Sequence, residues 1–567
     1  MDQYKILIED RNCAEWSVVN AVSLLPTEID ESFEPIKHKL LNGDVFTYND
    51  ENFKLIHSCF QSVDYMSGVL VLDKNKSYGR HKDKFLYKCI PDDRRLPSFI
   101  IPYLITKIGF YKMFKNKYIT FKYKSWEGKH PMGMIVQLIG DVDKLEHFYE
   151  YQLYCKSLYA SIQGFTRATT KVLKDRSHEE FIDNIFEKYE TINNRINDYH
   201  IFSIDSESTQ DYDDAIGIKV IDENTKIMSI YISNVIVWMD MLDLWSSFSK
   251  RVSTIYMPDR RRPMLPTILS ECLCSLIENA TRFAFTMDII IENDTIVDIK
   301  YCNSAVKLFK NYIYDEDDLL NDKDYQLILE TCRKLSKNKN YVTDITTSGD
   351  VVTYMMILMN HECGMEMLKT QSGIFRSAVF TPKVEIPKHL PDDVYKFLHN
   401  WSNFSGQYML DVPQGHEILK LESYIHITSP IRRLVDLLNL IKFQENHNIL
   451  PLSEKAKEFY TSWTEQMEYI NITMRAIRKV QTDCNLLEMC TNRPETLQKE
   501  YDGYLFDKIY RNDGLYQYIV FIPELRLTTR ITNRADVENY GSRKFNLHIF
   551  FDEDRLKKKI RIQLLDE

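Results

Sequence analysis

Four aspartates that could share a metal ion lie in the segment "FSIDSESTQDYDDAIGIK": Asp205, Asp211, Asp213 and Asp214. Apolar residues precede the first and follow the last, so one strand is predicted to end near Asp205 and another to follow Asp214. A bend between them would bring the carboxylates together. Such groups share a dry site only when protons or cations neutralise them. Their hard oxygen atoms favour Mg²⁺, or Mn²⁺, and two such ions about 3.5–4 Å apart suit phosphodiester chemistry.

Two other interpretations of this acidic segment stay open. A calcium-binding EF-hand loop needs a central glycine and a glutamate at its twelfth position, and "DSESTQDYDDAI" has neither. An acidic surface loop is the commoner structure for such a string. The fifth acid, Glu207, falls in the polar turn and matches no expected ligand position, so we expect it to face the solvent.

A second candidate segment is "YIHITSPIRRLVDLLNLIKF". Ser429 followed by Pro430 is a strong helix start, which predicts that Ser429 is the N-cap and Pro430 the first helical residue. Arg432 and Arg433 would then lie in the first turn, where the helix dipole disfavours cations and a bound phosphate would favour them. Asp436 could pair with either arginine. The alternative is a capped helix with two solvated arginines.

Two further segments are rich in cations. In "STIYMPDRRRPMLPTILSECLCSL", a proline-bounded loop contains Arg260, Arg261 and Arg262, which offer phosphate contacts or form a charged surface loop. The segment "FYKMFKNKYITFKYK" interleaves lysines, among them Lys122 and Lys124, with aromatic residues. That composition is typical of a groove for single-stranded nucleic acid, and an amphipathic strand with a solvated lysine face is the alternative.

Composition sets the broad class of the protein. A chain of 567 residues is long for one hydrophobic core, so several domains are expected. The net charge of -10 argues mildly against a polyanionic ligand, although a basic channel can lie on an acidic body. The 11 cysteines form no CxxC pair, which favours reduced thiols in an intracellular, most simply cytoplasmic, protein. With no visible signal peptide and no apolar segment long enough to span a bilayer, no membrane partner is expected.

The segments "IDSESTQDYDDA", "YMPDRRRPMLPTILSECLCSL" and "YIHITSPIRR" resemble, in that order, the signature blocks of the ribonuclease II/R (RNB) family of 3′-to-5′ exoribonucleases. The exosome's processive exonuclease belongs to the same family. The resemblance covers about residues 65–567 and implies a multidomain α+β fold, with OB-fold (cold-shock-type) β-barrels flanking a large α+β catalytic domain. The implied domains are an N-terminal segment at 1–64 that could be a reduced cold-shock-type barrel, a cold-shock-type OB barrel at 65–145, a helical connector at 146–200, the RNB catalytic domain at 201–492 and a C-terminal OB-type RNA-binding barrel at 493–567.

The resemblance also implies the site. It places Mg²⁺ on the four aspartates, a catalytic arginine at Arg432 and a tyrosine near the scissile phosphate at Tyr256. Asp213 is counted among the catalytic residues, and Phe375 is expected to stack on the terminal bases. The other residues expected to contact RNA are Arg376, Arg260, Arg261, Arg262, Arg433, His426, Lys122 and Lys124.

The expected reaction is Mg²⁺-dependent hydrolysis of single-stranded RNA from its 3′ end to nucleoside 5′-monophosphates. The family implies a monomer, and an exosome-like or other protein partner stays open. One alternative is a catalytically idle RNA-binding subunit on the same scaffold, and another is a divalent-dependent DNA exonuclease.

Four positions depart from the family pattern. Asn234 stands where aspartate is typical, Leu434 where tyrosine is usual, Asn439 in place of a common histidine and Ile477 in place of a frequent glutamate. None is a predicted metal ligand. They indicate a divergent member, and the Lys-, Asn-, Ile- and Tyr-rich composition is typical of an AT-rich genome, a viral one among them.

Overall fold

The computed structural model describes residues 3–565 except 31, 50–51, 74–75, 106–113, 175, 198, 340, 343, 378–385, 388, 396, 399–405 and 412–422. The predicted lysine and aromatic segment therefore lies partly outside the described residues. The chain divides into two compact units. The first unit is Met1–Tyr159, Met257–Arg260 and Arg478–Glu567, and the second unit is Ala160–Tyr256 and Arg261–Ile477.

The first unit begins with a small antiparallel sheet of order β2-β1-β3-β4. Its strands are β1 (Tyr4–Ile8), β2 (Trp16–Asn20), β3 (Val45–Asn49) and β4 (Asn52–His57). Inward-facing Ile6, Val18 and Phe46 pack with Phe33 into a separate core. A short helix, α1 (Cys59–Ser62), leads out of this sheet.

A closed five-stranded barrel follows, because the strands Met66–Leu70 and Lys84–Pro91, at the two ends of its strand order, also pair and complete the ring. Its elements are β5 (Met66–Leu70), the two-residue strand β6 (Arg80–His81), β7 (Lys84–Pro91), β8 (Phe99–Tyr103), β9 (Lys117–Ser125) and β10 (Met132–Asp141). Gly68 lies at the closing pair, and a Cβ there would lie 2.8 Å from Cys89 Sγ, so the ring closes tightly only with glycine. The predicted OB-type barrel is thus confirmed.

The chain returns to the first unit for a five-stranded antiparallel sheet of order β24-β23-β22-β25-β26. Its strands are β22 (Tyr501–Tyr510), β23 (Tyr516–Ile522), β24 (Leu527–Asn533), β25 (Ser542–Asp552) and β26 (Lys557–Leu564). Short 3₁₀ turns lie at Pro494–Leu497 and Pro523–Leu525, and helix α2 (Leu145–Cys155) follows the barrel. Two cations join the pieces of the first unit: Lys557 Nζ donates to Asp92 Oδ1 at 2.6 Å, and Arg11 donates to the carbonyl oxygens of Pro91, Leu96 and Asp554.

The second unit is built on a seven-stranded mixed sheet of order β11-β18-β17-β14-β13-β12-β19. Its strands are β11 (Asn193–Asn194), β12 (Ile201–Asp205), β13 (Asp214–Val220), β14 (Thr225–Ser233), β17 (Thr281–Glu292), β18 (Thr295–Lys307) and β19 (Lys310–Ile313). Two-stranded ribbons are formed by β15 (Ile255–Tyr256) with β16 (Arg261–Arg262), and by β20 (Ile374–Ser377) with β21 (Gln407–Leu410).

Helices pack against this sheet, and most apolar residues of β12 to β14 are buried, Val220 at the end of β13 being an exception. The helices of this unit are α3 (Gln163–Leu173), α4 (His178–Lys188), α5 (Val235–Met241), α6 (Asp317–Leu320), α7 (Lys323–Leu335), α8 (Ser348–Lys369), α9 (Leu434–Asn446) and α10 (Glu454–Thr464). Helix α11 (Met467–Asn492) begins in this unit, and its residues from Arg478 on belong to the first unit. A 3₁₀ turn lies at Trp245–Ser247 and a π-helical turn at Ile268–Leu273. In the described part of the chain, none of the helices has the length and hydropathy to cross a bilayer.

Three buried amides attach α9 to the sheet. Asn234 Nδ2 donates to Asn303 Oδ1 at 2.8 Å, and Asn303 Nδ2 donates to Gln444 Oε1 at 2.8 Å. Gln444 Nε2 closes the ring with a 3.5 Å contact to Asn234 Oδ1. All three side chains are buried, so each amide satisfies its neighbour in a place without water. This amide ring fixes helix α9, and the turn before it, relative to the end of β14.

A buried ion pair ties the N-terminal end of the second unit to the same sheet. The guanidinium of Arg195 donates to both carboxylate oxygens of Asp288, and Ser229 Oγ adds a hydrogen bond of 2.6 Å to the same carboxylate. The side chains of Arg195 and Asp288 are 8% and 14% exposed. Two desolvated charges in bidentate contact depend on each other, because either one alone would be left unpaired in the core.

We expect Arg195→Met to lower the free energy of unfolding of the second unit by about 3–5 kcal/mol, because Asp288 then remains as a buried, unpaired charge. Arg195→Met combined with Asp288→Leu should recover most of the loss. Thermal denaturation followed by circular dichroism measures both effects. The matched control is Lys455→Met, which breaks an exposed pair with Asp243 and should cost less than about 1 kcal/mol. Equal losses in the two single variants would contradict this account.

Candidate active site

The acidic cluster lies where neighbouring strands end. Strand β12 ends at Asp205 and the antiparallel β13 begins at Asp214, so both carboxylates lie at the same edge of the sheet. The strand boundaries predicted at these two residues are confirmed. The connecting loop carries Asp211 and Asp213, both buried, while Glu207 is exposed as predicted.

Asp213 joins the sheet to the turn that precedes α9. Its side chain is 3% exposed, and its Oδ1 accepts the backbone N–H of Ile431 at 2.8 Å. Its Oδ2 accepts Nε of Arg432 at 3.0 Å, and its own carbonyl accepts the N–H of Ser233 at 2.8 Å. One carboxylate thus holds both the backbone and the guanidinium of the turn.

The helix start predicted at Ser429 and Pro430 is wrong, because helix α9 begins only at Leu434. Residues 429–432 form a turn instead, and Arg433 is extended. The backbone here is engaged by distant parts of the chain: Thr254 N–H donates to the Arg432 carbonyl at 2.9 Å, and Leu434 N–H donates to the Val252 carbonyl at 3.0 Å. These bonds and the contact with Asp213 replace the helical pattern that the local sequence favours.

Carboxylates neutralise the two arginines of this turn. Arg432 pairs with Asp213 and also donates from Nη2 to Ser429 Oγ at 2.9 Å. Arg433 Nη2 donates to Asp436 Oδ1 at 2.9 Å, and the same oxygen accepts the Ser429 N–H. The pairing proposed for Asp436 is therefore confirmed with Arg433. The side chain of Arg432 stays 42% exposed, so part of its guanidinium faces solvent.

The loop with three arginines supplies a second cation. Arg261 lies opposite Tyr256 in the β15–β16 ribbon. Its Nη1 donates to Asp211 Oδ1 at 2.6 Å, and its Nη2 donates to Glu271, which lies on the π-helical turn. Burial, and next the Asp211 carboxylate, raise the pKa of Tyr256 to about 12, so its hydroxyl keeps its proton at neutral pH.

Arg432 and Arg261 do not neutralise all four aspartates of the cluster. Burial raises the pKa of Asp213 to about 7 and that of Asp205 to about 6. Burial also raises the pKa of Asp211, and the pKa of Asp214 rises well above its usual range because of burial and then of Asp205 and Asp213. In the described residues, neither Asp205 nor Asp214 forms an ion pair, and the charge of Asp205 contributes to the raised pKa of Asp214.

The donor set fits a divalent cation. All four aspartates offer hard carboxylate oxygens, which Mg²⁺ and Mn²⁺ prefer. Oδ2 of Asp205 and Oδ2 of Asp211 are buried and accept no hydrogen bond in the described structure. Among the described residues, however, no three acidic, histidine or cysteine side chains already stand in the arrangement of a metal site. Asp211 and Asp213 each direct one oxygen to an arginine instead.

The remaining predicted RNA contacts of the second unit lie in two places. Arg261 pairs with Asp211 of the cluster, and Arg433 pairs with Asp436. Arg262, the residue after Arg261, is buried. His426 and Arg376 both contact Tyr408: its hydroxyl is 2.8 Å from His426 Nδ1, and the guanidinium of Arg376 lies 5.2 Å from the ring centre.

Phe375 does not offer a stacking surface. Phe375 is 1% exposed; its strand β20 pairs with β21, and Phe375 itself forms a bridge with Ile425. A buried ring cannot stack on a base unless the residues that cover it move. The predicted role of Phe375 in stacking is therefore not supported by its placement.

Three predicted RNA contacts belong to the first unit. Lys122 and Lys124 are exposed on β9, and Lys124 Nζ is 3.2 Å from His81 Nε2. Arg260 is exposed and lies 3.7 Å from carboxylate oxygens of Asp259 and Glu150. Their contact with RNA stays a prediction.

The departures from the family pattern are structural side chains. Asn234 belongs to the amide ring. Asn439 Oδ1 accepts the Ile374 N–H at 2.8 Å, while its Nδ2 donates to the carbonyls of Ile374 and His426 at 2.9 Å. Leu434 and Ile477 are buried in the core. None of the four replaces a residue of the acidic cluster.

Sequence reasoning missed Glu271 and Tyr314. The N–H of Tyr314 donates to the Asp205 carbonyl at 3.0 Å, and burial, then Asp205 and Asp214, raise the pKa of its hydroxyl to about 12. No spacing signal identifies Tyr314, because it reaches the cluster through the parallel pairing of β12 with β19. Glu271 lies within a quoted motif, but the contact with Arg261 needs the π-helical turn.

Known proteins resemble the chain in sequence and in fold. The RNB domain family matches residues 193–340. Ribonuclease R of Chlamydia trachomatis is 30% identical over 155 residues, which are 26% of this chain and 22% of that protein. The matched segments span 22% to 46% of the first ribonuclease R relatives.

Two solved structures share the fold over nearly the whole chain. Mycoplasma genitalium RNase R in complex with ribose methylated single-stranded RNA superposes with a TM-score of 0.67 at 15% identity, covering 99% of this chain and 100% of that one. Yeast Ssd1, described as a pseudonuclease, gives 0.58 at 13% identity, covering 96% and 80%. Residues 193–340 of the chain thus match the RNB domain family, and the chain as a whole shares the fold of RNase R.

Proposed function

We propose that the protein is a divalent-cation-dependent 3′-to-5′ exoribonuclease that hydrolyses single-stranded RNA to nucleoside 5′-monophosphates. The observation that carries the proposal is the contact of Arg432 with Asp213 inside a cluster of four aspartates, of which two form no ion pair with the described residues. Mg²⁺ or Mn²⁺ bound to these carboxylates would activate water and stabilise the leaving oxygen.

The chain's own residues bind and orient the phosphate. Burial lowers the pKa of the Arg432 guanidinium, but nearby carboxylates, first Asp213, outweigh this and raise it overall, so Arg432 stays a cation. Its solvent-facing part can donate to the phosphoryl oxygens as they gain charge in the transition state. Asp213 and Ser429 orient the guanidinium, and the protonated hydroxyl of Tyr256 is a second donor.

Single-stranded RNA is the substrate that the surroundings favour. Relatives of the chain are named ribonuclease R and exoribonuclease 2, and Mycoplasma genitalium RNase R was solved with ribose methylated single-stranded RNA and also with double-stranded RNA. Near the turn, Arg376 and His426 contact Tyr408, and such cation and aromatic pairs suit a nucleotide with its phosphate.

A catalytically idle RNA-binding protein is the second candidate function. The observation that favours it is the fold likeness to yeast Ssd1, a pseudonuclease. Here, however, all four aspartates and Arg432 are present, and Arg432 pairs with Asp213. A DNA exonuclease using the same cation is a third candidate, which a DNA substrate tests directly.

With Mg²⁺, we expect 5′-labelled single-stranded RNA to yield mononucleotides and a short resistant end product. The RNA should stay intact in a chelator, and a single-stranded DNA of the same sequence should stay intact with Mg²⁺.

Asp213→Asn should abolish cleavage and leave RNA binding in place, because it releases Arg432 and removes a predicted ligand. Arg432→Met should lower kcat about 10²–10³-fold, as loss of a transition-state donor does.

The matched control for charge is Asp243→Asn, an exposed carboxylate of the second unit that should leave cleavage unchanged. Gel analysis of the products and filter binding of the RNA measure the two activities separately. Intact RNA with Mg²⁺ and wild-type protein would favour the idle RNA-binding protein, and equal cleavage of DNA would favour the third candidate.

The acidic cluster also predicts how stability depends on pH. Folded-state pKa values of about 6 for Asp205 and about 7 for Asp213 lie above the usual aspartate value of 3.8. The folded chain therefore binds these protons more tightly than the unfolded chain, and this contribution to stability is present at low pH and is lost as pH rises from about 4 to 7.

In a chelator, Asp214→Asn should raise the melting temperature at pH 8 by at least about 2 °C, because it removes a buried like charge. At pH 5 the gain should be smaller, since the wild-type cluster is then largely protonated. Differential scanning calorimetry measures both. A loss of stability at pH 8 would contradict the account of the cluster as an uncompensated set of charges.

A further inference from the structure

Arg261 spans two carboxylates beside the acidic cluster. Its Nη1 donates to Asp211 Oδ1 at 2.6 Å, and its Nη2 donates to Oε1 of Glu271. The side chains of Arg261 and Asp211 are only 16% and 6% exposed. A planar guanidinium can bond two acceptors from one fork, and in a largely dry place each bond is strong. We call this arrangement the Asp211–Arg261–Glu271 bridge.

Two elements hold the bridge in place. Arg261 pairs with Tyr256 across the antiparallel ribbon, so the two side chains leave the ribbon on the same side. Glu271 comes from the π-helical turn Ile268–Leu273, an irregular winding that is frequent at functional sites. Secondary structure therefore positions the guanidinium of Arg261 beside the acidic cluster.

The bridge conflicts with cation binding at Asp211. One oxygen of Asp211 is bonded to Arg261, and the other is buried without a hydrogen bond in the described structure. An arginine cannot give up its proton at accessible pH, so its charge stays when a divalent cation approaches. Arg261 and that cation therefore compete for the same carboxylate. Glu271, which lies further out and is 32% exposed, is the alternative partner for the displaced guanidinium.

We propose that Arg261, anchored by Glu271, is a positioning residue that holds Asp211 in the cation-free site and releases it when a divalent cation binds. The inference rests on the proposed function, because it assigns Asp211 as a ligand. In the cation-free protein the bridge compensates the charge of Asp211. When the cation binds, Glu271 keeps the guanidinium beside the cluster, so only one of its two ion pairs is lost.

Calorimetric titration with Mn²⁺ alone, without RNA, tests the competition. Arg261→Gln should bind Mn²⁺ about tenfold more tightly than wild type, the size of effect that one charge in contact has on a neighbouring carboxylate. Glu271→Gln should bind it more weakly, because Arg261 then has Asp211 as its remaining carboxylate partner in the bridge. The two members of one ion pair thus act in opposite directions, which a purely structural pair would not do.

The double variant separates the bridge from a general effect of charge. If Glu271 acts through Arg261, the weakening caused by Glu271→Gln disappears once Arg261 is already glutamine. Independent long-range charges would instead give additive changes and would overturn the proposal. The matched control is Arg167→Gln, an exposed arginine on α3 with the same change of charge, which should leave Mn²⁺ affinity unchanged.

Folding of each variant is checked by circular dichroism. If Arg261→Gln does not fold, Arg261→Lys replaces it: the ammonium keeps the charge but cannot span both carboxylates with one planar fork, so Mn²⁺ should bind more tightly than to wild type by a smaller factor. Unchanged or weaker Mn²⁺ binding in the folded Arg261 variant overturns the proposal. Wild-type protein that binds Mn²⁺ but cleaves no RNA overturns only the proposed function, and wild-type protein that binds no Mn²⁺ overturns both.

Discussion

The contact between Asp213 and the turn before α9 is the interaction on which the site depends. One buried carboxylate accepts a backbone N–H from Ile431 and the Nε of Arg432, and so joins the end of the central sheet to a segment far along the chain. Because both oxygens of Asp213 are engaged, the turn cannot rewind into helix α9 without leaving a buried charge unpaired. The position of Arg432 is thus a consequence of where Asp213 lies.

The charged side chains around Asp213 are also mostly paired. Arg432 and Arg261 neutralise two of the four aspartates, and Arg433 with Asp436 forms a separate pair beside them. The ring of Asn234, Asn303 and Gln444 secures α9 with neutral groups only. A carboxylate at Asn234, where the family typically has aspartate, would add another buried negative charge next to Ser233, whose N–H binds the Asp213 carbonyl.

Much of the fold could be predicted from the sequence, because alternating and continuous apolar runs report burial directly. The barrel, the strands that end at Asp205 and begin at Asp214, and the meeting of the aspartates with Arg432 follow from local patterns and from the family resemblance. The start of helix α9 at Leu434 and the burial of Phe375 could not be predicted. The first is decided by contacts with residues 252–254 and with Asp213, and the second by the folded surroundings of β20, which no local propensity records.

The cluster also explains why such a site needs a rigid frame. Asp205 and Asp214 stand on adjacent strands whose apolar residues are mostly buried, so the backbone gives them little freedom to separate as their charges repel. The repulsion is instead relieved by protons, which is why their pKa values rise. A divalent cation would relieve this repulsion more completely than a proton, since it places two positive charges between the carboxylates at one point. The repulsion that the sheet imposes on these carboxylates would therefore favour binding of the cation that the proposed reaction requires.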